Sequence, residues 1–240
     1  MCWSMGASAT MVALGGAATV ATLRRGDPPA VPATAAWFTF MEGLQVAGYG
    51  VVDQCGSGAN QVVTLLSYLH IAFQPLFINV FAMALIVGGV PAWKRIAVHL
   101  AGGASAVTML LQLYPFDWVG TCREGTVLCA AGLCTVSGDW HLAWNVPYNG
   151  LVPPLDILPG TAWSFPSYLV AVFFVPLAYG AWRFVLFHAL AGPVIASLLT
   201  GNPNEVPAIW CLFSIGLVSS GVIPPFRRLI FGRPARPVPA

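Results

Sequence analysis

The chain has 240 residues, of which 58% are apolar and only 8% are charged, and its formal net charge is +2. An ordinary soluble domain carries about 25% charged residues, so this chain has too few charges to cover a water-facing surface. The cations are also too few and too scattered for a nucleic-acid-binding face. The composition therefore predicts an integral membrane protein, with the lipid bilayer as its surroundings.

Apolar stretches long enough to cross a bilayer recur along the whole chain. A crossing helix needs about 20 mostly apolar residues. The stretches that meet this requirement are 3–23, 31–52, 61–88, 94–114, 161–182, 184–201 and 206–224. We therefore predict an all-α polytopic fold, a seven-transmembrane helix bundle forming one domain over residues 1–226. Residues 227–240 would form a short, basic, Pro-rich cytoplasmic tail.

The positions of the cations predict the orientation of the bundle. With the N-terminus outside, the one lysine and eight of the nine arginines fall in inner segments, and only Arg123 falls outside. Cytoplasmic loops carry such an excess of Lys and Arg. We expect a multi-pass protein of the bacterial inner membrane, with its C-terminus in the cytoplasm and its outer loops in the periplasm.

The cysteines agree with this orientation. Cys55 lies in the second-to-third loop, while Cys122, Cys129 and Cys134 lie in the long loop at 115–160. Disulfides persist on the oxidising side of the membrane, and the spacing lacks the C-x2–4-C pair of structural zinc sites. We therefore expect Cys55 to pair with one loop cysteine and the other two to pair locally. A metal site and free thiols remain the alternatives, because spacing does not fix connectivity.

The second half of the 115–160 loop is amphipathic and aromatic. Residues 139–148 read Asp-Trp-His-Leu-Ala-Trp-Asn-Val-Pro-Tyr. Since Trp and Tyr favour the level of the lipid headgroups, we predict a short interfacial helix here.

Two ionisable residues fall deep inside predicted spans. A charge at the bilayer centre costs about 2.5–3.5 kcal/mol on insertion scales, so such a residue is a functional candidate by default. Glu42 lies about 16 Å and His70 about 15 Å below the outer surface at 1.5 Å per residue. Their spans are consecutive and antiparallel, so we expect the two side chains to meet at the same depth. Glu42 and His70 are the predicted catalytic or proton-transferring residues.

Polar residues accompany this pair on the same helix faces and open toward the outer surface. Gln45 and Tyr49 follow Glu42 at i+3 and i+7 spacing, and Ser67 and Gln74 flank His70. The full set of predicted ligand-binding residues is Gln45, Tyr49, Asn60, Gln61, Ser67, Gln74, His141, Glu205 and Trp210.

Several functions are compatible with such a cleft. It could bind a small or lipidic ligand, and it could be an acid/base or metal-dependent enzyme whose third metal ligand is His141, Glu205 or Cys2. Alternatively, Glu42 and His70 could relay protons in a proton-coupled transporter or channel. In the third interpretation the polar rows are interhelical glue of an accessory or structural subunit. An acid at the start of the last span, such as Glu205, could also simply complement the helix dipole.

Missing motifs exclude further classes. The chain has no phosphate-binding Gly-rich loop with Lys and no H-E-x-x-H helix. It also lacks C-x-x-C, which argues against a thioredoxin-like site or covalently attached haem. A haem held by His99 and His188 is the one such arrangement left. The sequence thus leaves the cofactor unknown: it is compatible with a metal ion and disfavours haem, and it indicates no particular protein partner.

Short motifs spread along the chain carry a resemblance. They are Met1-Cys2-Trp3-Ser4, Met41-Glu42-x-Leu44-Gln45, Asn60-Gln61, Tyr68-Leu69-His70-Ile71-x-Phe73-Gln74-Pro75, His141-x-x-Trp144, and Glu205 through Ile209-Trp210-Cys211. Together they resemble an uncharacterised family of multi-pass membrane proteins, mostly bacterial, which implies a multi-pass fold but no particular activity. The predicted topology is similar to that of alkaline ceramidase and progestin-receptor-like membrane hydrolases. That similarity implies a zinc site to which Ser67 and His70 would contribute, although the late H-x-x-x-H pair of those hydrolases is absent.

Overall fold

The computed structural model describes residues 5–158 and 161–232. The opening Met1–Ser4 motif, including Cys2, and most of the predicted tail therefore lie outside the described residues. The fold is mostly helical. Its first half consists of four long helices, α1 (Met5–Arg24), α2 (Ala30–Gly50), α3 (Gly58–Leu85) and α4 (Ala92–Gln112).

The helices of the second half are interrupted. The first begins as α5 (Pro166–Leu169) and continues through a π-helical turn (Val170–Phe174) and a 3-10 turn (Val175–Tyr179). The next comprises α6 (Trp182–Ala189), a π-helical turn (Leu190–Val194) and α7 (Ile195–Leu199), followed by α8 (Val206–Val222) and α9 (Pro224–Phe231).

Proline and close packing explain these interruptions. Pro176 lacks a backbone N–H and cannot continue the hydrogen-bond ladder of the preceding turn. Gly192 departs from helical geometry at φ −106° and ψ −105°, directly before Pro193. A Cβ atom on Gly192 would lie 2.4 Å from the indole nitrogen of Trp210, so α8 packs against the bare backbone of this turn.

Three of the described helices are long and apolar enough to cross a membrane, judged by length and composition. They are Met5–Arg24, Gly58–Leu85 and Trp182–Leu199. A fourth is added if α8 and α9, which meet at 93°, are counted as one broken span. The helix over Pro166–Tyr179 is apolar but shorter.

The two ends of the bundle differ in chemistry. Short connections join α1 to α4, so consecutive helices run antiparallel, and the loops before α2 and after α3 lie at the same end. At this basic end, which carries Arg25, Lys94, Arg183 and Arg227, the Asp27 carboxylate accepts hydrogen bonds from Arg25 and Arg227. The opposite, disulfide end carries Cys55, Cys122, Cys129 and Cys134.

The segment between α4 and α5 is not helical, so the predicted interfacial helix at 139–148 is wrong. Strands β1 (Cys134–Ser137) and β2 (Leu142–Asn145) form an antiparallel hairpin, and β3 (Leu155–Leu158) pairs with β4 (Thr161–Trp163). The side chains of Leu142 and Trp144 in β2, and of Val146 directly after it, are buried. An aromatic segment that is covered by protein has no reason to lie along the lipid surface.

The cysteine prediction is confirmed. Cys55 bonds Cys134 and thereby ties the α2–α3 loop to β1, while Cys122 bonds Cys129 locally. Asn60 of α3 strengthens the first attachment. Its side-chain amide donates to the carbonyl oxygens of Val51 and Thr135 at 2.7 and 2.8 Å, and its Oδ1 accepts from the Thr135 N–H at 2.9 Å. The β1–β2 hairpin is therefore a fixed cover over the ends of α2 and α3.

Candidate functional site

A row of polar side chains runs along one face of α2. Glu42, Gln45 and Tyr49 are spaced so that they lie one above the other, from the interior of the bundle to the β1–β2 hairpin. Glu42 and Gln45 have no exposed surface, and Tyr49 is half-buried at the end of the row nearest the hairpin. The row packs against α8 and α1, the helices that α2 contacts on this side.

Gln45 is the junction of the row. Its Nε2 donates to the carbonyl oxygen of Ala208 in α8 at 3.2 Å, which fixes the orientation of the amide because a carbonyl only accepts. Its Oε1 therefore accepts, from the Ser8 hydroxyl of α1 at 3.3 Å and from His141 Nε2 at 2.5 Å. One side chain thus holds α1, α2, α8 and the hairpin together.

The orientation of Gln45 sets the tautomer of His141. Because Gln45 Oε1 is an acceptor, His141 Nε2 carries the proton, and Nδ1 is free to accept from the Tyr49 hydroxyl at 2.5 Å. Burial in the hairpin lowers the pKa of His141 to about 4, so the imidazole is neutral near pH 7. Tyr49, His141 and Gln45 form a continuous hydrogen-bonded chain from the half-buried end of the row inward.

Glu42 ends the row without a partner. Neither carboxylate oxygen has a hydrogen-bond partner among the described residues. A polar neighbour, Ser8, directs its hydroxyl to Gln45. A charged carboxylate that is buried without donors is very unfavourable. Such a group needs a proton or a cation that the described side chains do not provide.

The expected Glu42–His70 pair does not form, and that prediction is wrong. His70 is buried, but its Nε2 bonds the carbonyl oxygen of Trp37 at 2.8 Å, and its ring stacks on the Trp37 indole with centroids 4.4 Å apart. Its Nδ1 accepts from Gln74 Nε2 at 3.2 Å. Both ring nitrogens are thus occupied by residues other than Glu42, because α3 turns His70 toward the first half of α2.

Gln74 links His70 to a second polar cluster between α3, α5 and α8. Its Nε2 also contacts the Cys211 sulfur at 3.3 Å, and its Oε1 accepts from the Tyr168 hydroxyl at 2.6 Å. These residues line a cavity of about 20 Å³, which has room for roughly one water molecule.

Glu205 lies at the N-terminus of α8, as one of the two interpretations of the sequence predicted, but its side chain does not cap that helix and is a buried anchor for the hairpin. Its carboxylate accepts from the backbone N–H groups of Asp139, Trp140 and His141, and from the Thr200 hydroxyl at 2.5 Å. These donors fully compensate the buried charge. Glu205 therefore positions His141 through the hairpin backbone rather than contacting the row directly.

The remaining predicted ligand-binding residues do not join the row. Asn60 attaches the hairpin, as described above, and Gln61 donates to the Cys55 carbonyl oxygen at the exposed disulfide end. The Ser67 hydroxyl donates to the Val63 carbonyl oxygen within its own helix. Trp210 donates to His188 Nε2 at 3.1 Å. Thus the structure brings together Glu42, Gln45, Tyr49 and His141 from the predicted set.

Two contributors were missed from the sequence. Ser8 lies in a helix of small residues with no other distinguishing pattern. Gly138 matters because a Cβ atom there would lie 2.6 Å from both Glu205 Cδ and the His141 carbonyl oxygen. The dependence of the Glu205 anchor on a glycine is visible only once the two segments are seen in contact.

No group of three or more His, Cys, Asp or Glu residues in the described part of the chain is arranged to hold a metal ion. The two histidines considered for haem are also separated in their contacts. His99 bonds the carbonyl oxygen of Arg95 within α4, and His188 accepts from Trp210.

The profile of one protein family matches residues 6–231, and its description is a family of unknown function, DUF5765. The chain belongs to the DUF5765 family. This membership confirms the resemblance drawn from the sequence motifs, and the matched range includes Glu42, Gln45 and Tyr49 of the polar row as well as His141. No curated protein and no solved structure matches the chain. The DUF5765 match thus adds no activity to the chemistry that the residues display.

Proposed function

We propose that the chain is a multi-pass membrane protein that crosses the bilayer seven times, with the N-terminus outside. The support is the correspondence between the seven apolar stretches of the sequence and the successive helices α1, α2, α3, α4, Pro166–Tyr179, Trp182–Leu199 and α8. Large apolar side chains exposed on these helices, such as Leu100, Phe174 and Leu198, suit contact with lipid.

The contrast between the two ends supports the proposed orientation. Cations gather at the basic end, as expected of a cytoplasmic surface, and both disulfides lie at the other end, as expected of an oxidising compartment. In this orientation the β1–β2 hairpin and Tyr49 face the periplasm.

Within this frame we propose that the protein transfers protons across the membrane through Glu42. The observation that carries the proposal is a fully buried carboxylate that has no hydrogen-bond partner within residues 5–158 and 161–232. Ionisable residues inside membrane spans typically mark ion or proton pathways. The closed surroundings favour a proton over a larger ligand. Gln45 and His141 have no exposed surface either, so a small molecule could enter only if the hairpin moved.

On the outer side, Tyr49 and His141 provide the entry. The Tyr49 hydroxyl is half-buried and donates to His141 Nδ1, so a proton can pass from water at the hairpin to the imidazole. Gln45 cannot itself relay a proton, because an amide does not titrate. The step from His141 to Glu42 therefore requires a water molecule or a rotation of the Glu42 side chain.

Toward the basic end lies a second polar row on α3, along which a proton would need water molecules, because the amides of Gln74 and Asn79 do not titrate either. After Gln74 in α3 comes Asn79, whose side-chain amide donates to the carbonyl oxygens of Pro75 and Ala171. Its Oδ1 accepts from the Tyr179 hydroxyl at 2.9 Å. Tyr179 lines pockets at the basic end, so this row leads to the opposite surface.

The test is proton flux in liposomes. Purified protein is reconstituted with a pH-sensitive dye inside, and a membrane potential is imposed with potassium and valinomycin. We expect the wild-type protein to change the internal pH and Glu42→Gln to abolish this change, because glutamine has the same shape but carries no exchangeable carboxyl proton. Tyr49→Phe, which removes the entry hydroxyl, should slow the flux without abolishing it.

The matched control is Asp117→Asn, which removes an exposed carboxyl group at the disulfide end and should leave the flux unchanged. A Glu42→Gln protein that is monodisperse and carries wild-type flux would refute the proposal. That result would favour the interpretation in which the polar row only holds the helices together.

A further inference from the structure

Two adjoining pockets at the basic end share Tyr179 as a common wall. The first is a groove of about 280 Å³ between α4 and the 3-10 turn, and its floor is formed by small apolar residues including Ala97, Ala101 and Val175. The second has about 270 Å³ and lies between the start of α6 and the end of α9. The pair therefore combines an apolar groove with a neighbouring polar pocket.

Each pocket has a cation at its mouth that is held in place by a tryptophan. The Lys94 ammonium lies 5.6 Å from the Trp93 ring centroid and donates to the Ala178 carbonyl oxygen at 2.8 Å. The Arg183 guanidinium lies 5.2 Å from the Trp182 ring centroid. No acidic residue is among the described residues that line either pocket. Two positive charges therefore face this region, and none of the described lining residues supplies a carboxylate to neutralise them.

We infer that this pair of pockets binds an anionic phospholipid, with an acyl chain in the apolar groove and the phosphate near Lys94 and Arg183. The combination of shape and charge is the argument. An acyl chain suits a groove of alanine and valine, and a phosphate suits cations at its mouth. Tryptophan also favours the headgroup level of a membrane, and basic pockets between helices on the cytoplasmic side are suited to anionic headgroups.

The inference rests on the proposed membrane placement but not on proton transfer. The placement puts the basic end at the cytoplasmic leaflet, where the lipid would enter sideways between α4 and the helix over Pro166–Tyr179. Glu42 contributes nothing to these pockets. Glu42→Gln should consequently bind the lipid like the wild type, so a failure of flux and a failure of lipid binding are separate results.

The experiment measures lipid binding to the purified full-length chain in a neutral detergent. The probes are phosphatidylglycerol, phosphatidylcholine and inorganic phosphate, followed by native mass spectrometry and by the shift in melting temperature. We expect phosphatidylglycerol alone to bind and to raise the melting temperature. The double variant Lys94→Gln/Arg183→Gln should bind it about 25-fold more weakly, since each cation near an anionic headgroup contributes roughly a factor of five.

Two further variants separate the parts of the site. Arg228→Gln removes an exposed cation at the same end that does not line either pocket, and it should bind like the wild type. Ala101→Leu fills the groove while leaving both cations, and it should weaken binding of phosphatidylglycerol.

The inference would be overturned in any of four ways. Equal binding of phosphatidylcholine would show that charge is not recognised, and an equal effect of inorganic phosphate would show a phosphate site without a lipid tail. An equal loss in Arg228→Gln would reduce the effect to general attraction between charges. Unchanged binding in Ala101→Leu would mean that no acyl chain occupies the groove.

Discussion

Glu205 and Glu42 are both completely buried, yet their surroundings are opposite. The Glu205 carboxylate accepts from three backbone N–H groups and one hydroxyl, all in or beside the β1–β2 hairpin. The Glu42 carboxylate has no hydrogen-bond partner among the described residues. The first glutamate is surrounded by hydrogen-bond donors, whereas the second has none among the described residues.

The difference indicates that the buried carboxylate at the disulfide end stabilises the structure, whereas the one in the interior of the bundle does not. Charge that is fully hydrogen-bonded holds structure, and removing it leaves several buried donors unpaired. Glu42 has no such partner among the described residues, and an ionisable residue inside a membrane span is a functional candidate by default. The two glutamates should therefore respond in opposite ways to the same substitution.

The sharpest test of the contrast is Glu205→Ala. The substitution leaves the N–H groups of residues 139–141 and the Thr200 hydroxyl without an acceptor, and it detaches the hairpin from α8. We expect the free energy of unfolding to fall by about 5 kcal/mol, the upper part of the range for breaking a buried charged interaction. The measurement is denaturant titration in detergent, followed by far-ultraviolet circular dichroism.

Thr200→Val is the graded control for this anchor. It removes one of the donors to Glu205 and keeps the backbone N–H groups in place, so the loss should be about 1–2 kcal/mol. A Glu205→Ala protein as stable as the wild type would mean that the hairpin is held by its other attachments alone.

The next largest losses of stability should come from removing the two disulfides, which both lie at the disulfide end. The Cys55–Cys134 bond closes a loop of 79 residues and the Cys122–Cys129 bond a loop of 7 residues. On loop entropy alone, serine replacement of the first pair should cost about 4 kcal/mol and of the second about 2 kcal/mol. Thermal unfolding of the two double-serine variants measures which loss of stability is larger. A larger loss for the Cys122–Cys129 pair would indicate that this disulfide also stabilises contacts outside its own loop.

The pH dependence of stability tests the contact between the hairpin and the polar row of α2, because His141 of the hairpin bonds Gln45 and Tyr49 of the row. Burial lowers the folded pKa of His141 to about 4, below the ordinary histidine value of 6.5, so the unfolded chain takes up the proton first as the pH falls. Stability from this residue is present above pH 6.5 and is lost between pH 6.5 and 4, by up to about 3 kcal/mol. His141→Gln, which does not titrate, should lack this part of the pH dependence. Identical pH profiles for both proteins would contradict the buried neutral imidazole.

Part of the structure of the disulfide end could be predicted from the sequence. The pairing of Cys55 with a loop cysteine followed from the predicted orientation, because the redox compartment and the count of outer cysteines leave few choices. The prediction of a helix at 139–148 was wrong because it gave the aromatic content of the segment more weight than the spacing of its large apolar residues. Leu142, Trp144 and Val146 alternate with a period of two, which is the spacing of a strand.

The sequence predicted which residues belong to the candidate site but not which of them contact each other. Helix rise predicts how far along α2 and α3 Glu42 and His70 lie, whereas the rotation of α3 about its own axis depends on packing that the sequence does not display. His70 therefore reaches α2 at Trp37 rather than at Glu42. The contact of Gln45 with His141 joins residues 96 positions apart, and its partner lies in a hairpin attached through a third segment at Glu205. No local sequence pattern predicts a contact such as that between Gln45 and His141.

The smallest expected change in stability, and the one that completes the contrast, comes from Glu42→Gln. Because no described donor is directed at the carboxylate, the substitution leaves no hydrogen bond unsatisfied, and an amide is less costly to bury than a charge. We expect the free energy of unfolding to stay within about 1 kcal/mol of the wild type, as for a substitution that breaks no specific contact. The same substitution at Glu205 places an amide N–H₂ among the backbone donors that a carboxylate accepts, so Glu205→Gln should be clearly less stable than Glu42→Gln. If Glu42→Gln proved the more damaging of the two, Glu42 would have to be a structural acceptor, and an open position for a proton would no longer explain its burial.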